Sequence, residues 1–222
     1  MRWANTAPRS DPAAGRSVHT VMTTPNWNAV YERLKNRIES SGVRVRCRKL
    51  GPQTTGIFDG SSITTNSDCD LETQCHNLGH AFGHIAQWSL DGPRCECLYE
   101  ALHSAKERRA ADRQALERAL ARFREYEEEA SGHAAWLLEE TGNAAVLASF
   151  TPFARADIEA IVSYHRDGVA PIWNEFYAAW RARAARGEIE VREFVPVPIP
   201  PFAPAPIAPQ EVVRGVRENR KA

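Results

Sequence analysis

Cys75-His76-Asn77-Leu78-Gly79-His80-Ala81-Phe82-Gly83-His84 is the stretch on which the reading of this chain turns. It sets three histidines at i, i+4 and i+8. On an α-helix each four-residue step rotates the side chain by only about 40°, so the three imidazoles share one face. Two imidazoles one turn apart are the grip that a zinc-peptidase helix has on its metal. That motif is His-Glu-x-x-His, with the Glu as general base. Here its place is taken by Asn77 for the pair His76/His80 and by Ala81 for the pair His80/His84. The helix therefore offers metal ligands without the residue that handles the proton.

The flanks place this segment. Asp70 and Glu72 suit the positive end of a helix that starts after Ser67 or Asp68 and runs from about residue 70 to Ser89. Upstream, Trp27, Val30, Tyr31, Leu34 and Ile38 recur in steps of three and four, which predicts a helix to about Ser40, closed by Ser41-Gly42. Residues 43–50 alternate apolar and basic, the mark of a half-buried strand with its basic side in water. Two short runs around Asp59-Gly60 predict a hairpin ending near Asn66. Downstream, Asp91-Gly92-Pro93 reads as a loop before a long Ala/Arg/Glu/Leu stretch, about Leu98 to Glu140, in one helix or two. Pro152 opens a further helix that ends at Asp167-Gly168, where His165 would meet the helix dipole as a cation. Another begins at Pro171 and runs through Trp180.

A catalytic zinc needs three protein ligands and one open position. The histidine helix offers two, and the third must come from a second helix. The long stretch supplies Glu127-Glu128-Glu129-Ala130-Ser131-Gly132-His133-Ala134-Ala135-Trp136-Leu137-Leu138. Together with Gly60-Ser61-Ser62-Ile63-Thr64-Thr65-Asn66 and the histidine segment, it resembles the ImmA/IrrE metallopeptidases of bacteria and their phages. Their order is a hairpin ending in a G-x-I-x-x-N type strand, then H-E-L-G-H-x-x-x-H, then E-x-E-A-N-x-F-A-A-x-L-L. The resemblance covers about residues 27–140. It implies His76, His80 and Glu127 as ligands of a Zn2+ ion. Glu129 is the alternative carboxylate, and His84 replaces His76 if the helix uses its second register. The elements together predict an α+β, mostly helical fold, with a small antiparallel sheet from Val43 to Asn66 beside the histidine helix and a helical extension over about residues 150–185. Ser131 stands where the family has Asn, and His133 where it has an aromatic residue. No catalytic residue is carried over, because the family's base falls on Asn77 or Ala81.

The implied role is a degenerate relative of these enzymes, without peptidase activity, that acts by binding a protein. The family's usual partner is a helix-turn-helix repressor, which it cleaves. Two other roles stay open. One is an active zinc endopeptidase with an atypical base, from Glu72 or from Glu127 to Glu129. The other is a structural helical protein with no ligand, in which the Pro-rich tail is the interaction element and His76, His80 and His84 hydrogen-bond to Glu127–Glu129 as a polar seam.

Composition narrows the classes. Lys plus Arg and Asp plus Glu are both 28, so no global basic field exists to hold nucleic acid. Hydrophobic residues make up 43%, enough for a core. No run approaches the roughly 18 apolar residues of a membrane span, and the first residues lack the apolar stretch of a signal peptide. An odd count of five cysteines fits a reducing compartment, so the cytoplasm is the expected location. Cys95-Glu96-Cys97 stands without a second pair and reads as two small residues in a turn. The chain divides into a disordered extension (1–24, with Met22 as an alternative start), a metallopeptidase-like region (25–148), a helical extension (149–190) and a Pro-rich tail (191–222). Ile199, Phe202 and Ile207 would hold that tail to the surface.

Overall fold

The computed structural model describes residues 25–51, 54–169 and 171–207. The expected disordered extension and the alternative start at Met22 lie outside these residues. The first helix, α1 (Trp27–Ser40), forms where its period predicts, with the Asn26 side chain accepting from the Ala29 N–H at 3.2 Å. Val30, Leu34 and Ile38 line its buried face.

Three strands follow: β1 (Arg44–Arg48), β2 (Gly56–Phe58) and β3 (Ser62–Asn66). The hairpin forms as expected, with β2 antiparallel to β3. The sheet as a whole is mixed rather than antiparallel, because β1 pairs with β3 in parallel and the order is β1-β3-β2. The hairpin occupies only one edge of β3. The chain from β1 passes through β2 before it returns, which gives the crossover that a parallel pair requires. Thus β3 is central and buried along its whole length, while Arg44, Arg46 and Arg48 of β1 face water. At the hairpin turn the Asp59 carboxylate accepts from the N–H groups of Ser61 and Ser62 at 2.9 and 2.7 Å, and Gly60 takes φ +82°.

The histidine helix α2 spans Leu71–Glu107, capped by Asp70. It consists of two helical segments that meet at a kink, so the break expected at Asp91-Gly92-Pro93 is present, as one non-helical residue and not as a loop. Asp91 leaves helical geometry (φ −150°, ψ 62°), and its side chain accepts from the Arg94 N–H at 3.2 Å, which caps the second segment. Cys95 and Cys97 consequently sit on this helix, one buried and one exposed, both free. The long Ala/Glu/Leu stretch is two helices: the end of α2, then α3 (Arg113–Glu140) behind the Asp112 cap. A short 3-10 turn (Ala144–Val146) leads into α4 (Leu147–Asp167), and α5 (Trp173–Ala185) completes the helices. The fold is α+β and mostly helical.

One apolar cluster joins these elements, from Val30 of α1 through Phe82 and Ile85 of α2, Phe123 and Leu137 of α3 and Phe150 and Ile158 of α4. It also takes in Phe194, Ile199 and Ile207 of the Pro-rich segment, which lies extended across the domain. The Val197 N–H donates to the Gly132 carbonyl (3.0 Å) and the Ile207 N–H to the Asp59 carbonyl (3.1 Å). The Ala205 N–H donates to the Ser89 hydroxyl at 3.2 Å. His165 is not a cation at a helix end. Burial and the neighbouring Lys106 push it down to about 4. No helix among the described residues is long and apolar enough to cross a membrane.

Candidate metal centre

The core of α2 against α3 is built from small residues. A Cβ on Gly83 would stand 2.3 Å from the Ala130 carbonyl oxygen, and one on Gly79 would meet the Ala134 Cβ at 3.4 Å. Glycine and alanine at i, i+4 spacing on both antiparallel helices let the backbones close in. That approach carries Glu127 of α3 onto the histidine face of α2.

His80, His84 and Glu127 converge. Each offers one ligand atom, and the three atoms lie within 4.8 Å of one another. The two Nε2 atoms are 3.0 Å apart, and each is 3.2 Å from the same Oε2 of Glu127. Zinc bonds of about 2.0–2.2 Å would set neighbouring ligand atoms of a tetrahedron about 3.4 Å apart, so this triangle needs little adjustment to hold an ion. The site is nearly closed to solvent: the His80, His84 and Glu127 side chains are 12%, 6% and 3% exposed.

The surrounding hydrogen bonds assign the tautomers. The Ser131 hydroxyl donates to the Glu127 carbonyl (3.0 Å), so its oxygen is left to accept from His80 Nδ1 at 3.3 Å. Gln87 donates through its amide nitrogen to the Tyr126 carbonyl (2.9 Å) and to Glu129 (2.7 Å), so its oxygen accepts from His84 Nδ1 at 3.0 Å. Both outer nitrogens therefore carry protons, so both Nε2 lone pairs of the neutral rings face the centre, and a hydrogen bond from Nε2 to Glu127 requires a ring that has taken up a second proton. Outer partners of this kind fix ring orientation in metal sites. The His84 ring is also held between Phe58 of β2 and Tyr126 of α3, stacked at centroid distances of 5.5 and 4.8 Å.

The charges agree with the geometry. Burial opposes the anion of Glu127, but the charge of His84 and the hydrogen bonds from both imidazoles outweigh it and hold the carboxyl well below its usual range. Burial likewise opposes a charged His80, yet the hydrogen bond and charge of Glu127 raise it. Asp157 of α4 belongs to the same field. Burial lifts it to about 6, with His80 pulling the other way and Glu127 adding to the rise.

The expected ligand set is thus only partly brought together. The second histidine register is the one assembled, and His76 lies apart. Its Nε2 contacts the Ser149 hydroxyl at 3.2 Å, and its ring sits among Trp27, Phe150 and Phe153, the last at 4.9 Å. Among the described residues its buried Nδ1 has no partner, and burial pushes the imidazole down to about 4. The contacts Gly79–Ala134 and Gly83–Ala130 put the apolar Leu137 and Leu138 of α3 level with His76, so no carboxylate is there to meet it. Glu129 does not join the cluster either. It accepts from Gln87 and pairs with Arg94. Glu128 pairs with Arg155 at 2.8 Å. Asn77 bonds to Thr73 and Thr55, which ties β2 to the start of α2. In this register the place after the first ligand belongs to Ala81, which is buried.

Sequence reasoning did not single out Gln87, Phe58 or Asp157, since nothing local marks them. Ser131 was visible only as a departure from the family pattern, and here it orients His80. Compared with protein-family models, with curated proteins and with solved structures, the chain finds no match.

Proposed function

We propose that this chain is a zinc-binding protein whose centre is His80, His84 and Glu127, in the ligand order of the ImmA/IrrE-like metallopeptidases. The observation that carries the reading is the convergence of three buried ligand atoms with the outer nitrogen of each imidazole already bonded. When bound, the ion would act as a Lewis acid on a carbonyl or a water in its open position. The chain's own residues hold the ligands in place: Ser131 and Gln87 orient the two rings, and the close packing at Gly83 fixes the helix spacing. Cleavage of the family's type, with a helix-borne Glu as base, is closed to a chain with Ala81 in that place. A protein, such as a helix-turn-helix regulator, is the kind of partner this reading implies.

A second reading has its own observation. Glu127 Oε2 lies 3.2 Å from each Nε2, so rings that take up a second proton there would make the same residues a polar seam between α2 and α3 with no ion. Metal analysis of the purified protein separates the two. Zinc binding predicts about one zinc per chain, lost in His80→Ala, His84→Ala and Glu127→Gln and kept in His76→Phe and Glu129→Gln. A wild type with no more zinc than the triad variants would establish the seam instead.

A further inference from the structure

The centre lacks a proton acceptor on α2, and the fold brings another carboxylate to its level. Helices α3 and α4 run antiparallel, and three ion pairs fix their register: Glu117–Arg166, Arg124–Glu159 and Glu128–Arg155. Glu127 thus lies level with residues 156–157 of α4. Because α2 is antiparallel to α3 as well, α2 and α4 run side by side in the same direction. Phe153 of α4 packs on His76 of α2, with ring centroids 4.9 Å apart. One turn further along both helices, on the same faces, come Asp157 and His80.

Asp157 is half-buried there, and among the described residues it takes part in no hydrogen bond or ion pair. Its neighbours on α4 differ: Arg155 and Glu159 both pair with α3. The charged groups that bear on Asp157 are His80 of α2 and Glu127 of α3, two of the three candidate ligands. It stands outside the cluster of ligand atoms itself. A partly buried carboxylate that feels the charges of two candidate ligands, yet lies outside their cluster, has the chemistry of a general base.

We propose that Asp157 is the proton acceptor of this centre and supplies from α4 what Ala81 does not supply from α2. The inference rests on the reading of His80, His84 and Glu127 as a metal site. The chemistry it permits is hydrolysis of a peptide or other amide. Asp157 takes one proton from a water molecule as the water oxygen bonds to the carbonyl carbon. The C–N bond then breaks, and the proton passes from Asp157 to the leaving nitrogen. No other reactant is needed.

The test uses the full chain as wild type, Asp157→Asn and Asp157→Glu, each loaded with Zn2+ or with Co2+. Three quantities are read: metal stoichiometry and affinity, the pH dependence of the Co2+ visible spectrum, and chelator-sensitive cleavage of fluorescein-labelled casein. Asp157→Asn should bind one metal with affinity within about tenfold of wild type, as expected of a group that is not a ligand. It should lose the spectral pH transition of the wild type, which Asp157→Glu should keep, shifted. Cleavage should fall by about 100- to 10,000-fold in Asp157→Asn. A spectral transition identical in wild type and Asp157→Asn overturns the proposal. So does loss of the metal from Asp157→Asn, which would make the residue a ligand. A wild type that binds no metal fails earlier, at the metal site itself. A wild type that binds metal without cleaving casein, but shows the Asp157-dependent transition, keeps the proton acceptor and removes peptides as its substrate. Thermal melts of all three proteins guard against misfolding. Asp157→Asn should melt no lower than wild type, because it removes a carboxylate whose charge its partial burial disfavours.

Discussion

His76 and His80 share a helix face and a residue type, and their surroundings give them opposite behaviour. His76 lies in an aromatic cage that favours its neutral form, pushed down to about 4, whereas Glu127 raises His80. Unfolded, His76 titrates near 6.5, so below that pH the unfolded chain gains a proton that the folded one refuses. Stability is therefore lost as pH falls from about 6.5 to about 4, by on the order of 3 kcal/mol from this residue. His76→Phe should flatten that part of the pH–stability curve by one proton's slope in denaturant titrations at pH 7, 6, 5 and 4.5, and should still bind zinc. The sign at His80 is the reverse. Its raised affinity for a proton puts protons in competition with zinc, so zinc affinity should drop by up to about tenfold per pH unit once the medium falls below the His80 pKa. Competition titrations at pH 8 and pH 5.5 measure it, and an affinity independent of pH would exclude His80 as a ligand.

Between elements, the decisive contact is Gly83 of α2 on the backbone of Ala130 in α3. Its predicted Cβ distance of 2.3 Å is to a carbonyl oxygen, not to the tip of a flexible side chain, so Gly83→Ala must push the helices apart. The cost should be about 1–3 kcal/mol or more in chemical denaturation, as for other overpacked cores. The separation should also weaken zinc binding, because Glu127 moves with α3. Gly79→Ala is the control. Its Cβ would make an ordinary contact with Ala134 at 3.4 Å, and alanine favours the helix, so stability should hold or rise.

Across the whole molecule, the Pro-rich segment works as a strap. It touches α4, where the Arg155 guanidinium lies 4.0 Å over the Phe194 ring, then α3 at Gly132, α2 at Ser89 and the hairpin turn at Asp59. Having no secondary structure, it contributes through buried side chains and backbone hydrogen bonds to other elements. Burying Phe194, Ile199 and Ile207 is worth about 1.5–3 kcal/mol each, so removal of residues 191–222 should cost on the order of 5 kcal/mol. That is comparable to the whole stability of an ordinary domain. Truncated protein should melt far below the full chain in calorimetry or be recovered unfolded. An unchanged melting temperature would show the strap to be dispensable. Zinc acts in the opposite sense. At about 100 times its dissociation constant it should stabilise the full chain by about 2.7 kcal/mol, and it should do nothing for His84→Ala.

The sequence by itself determined what depends on neighbours along the chain. The period of Val30, Leu34 and Ile38 fixes α1, the Asp59-Gly60 turn fixes the hairpin, and the acidic residues ahead of the histidines mark the start of their helix, although the cap is Asp70 and not Ser67 or Asp68. The candidate ligand types were legible too, because i, i+4 spacing is a property of one helix. Only the tertiary structure decided which edge of β3 receives β1, and that the break at Asp91 is a kink between two helical segments and not a loop. It also decided that His84, not His76, completes the triad with His80 and Glu127. Three histidines on one face are equivalent until a second helix crosses them. The crossing point is set by Gly83 against Ala130, which puts Glu127 at one end of the face and leucines at the other. Asp157 was beyond reach of the sequence for the same reason: it enters the site only through the register of α4 against α3, which the ion pairs between those helices fix.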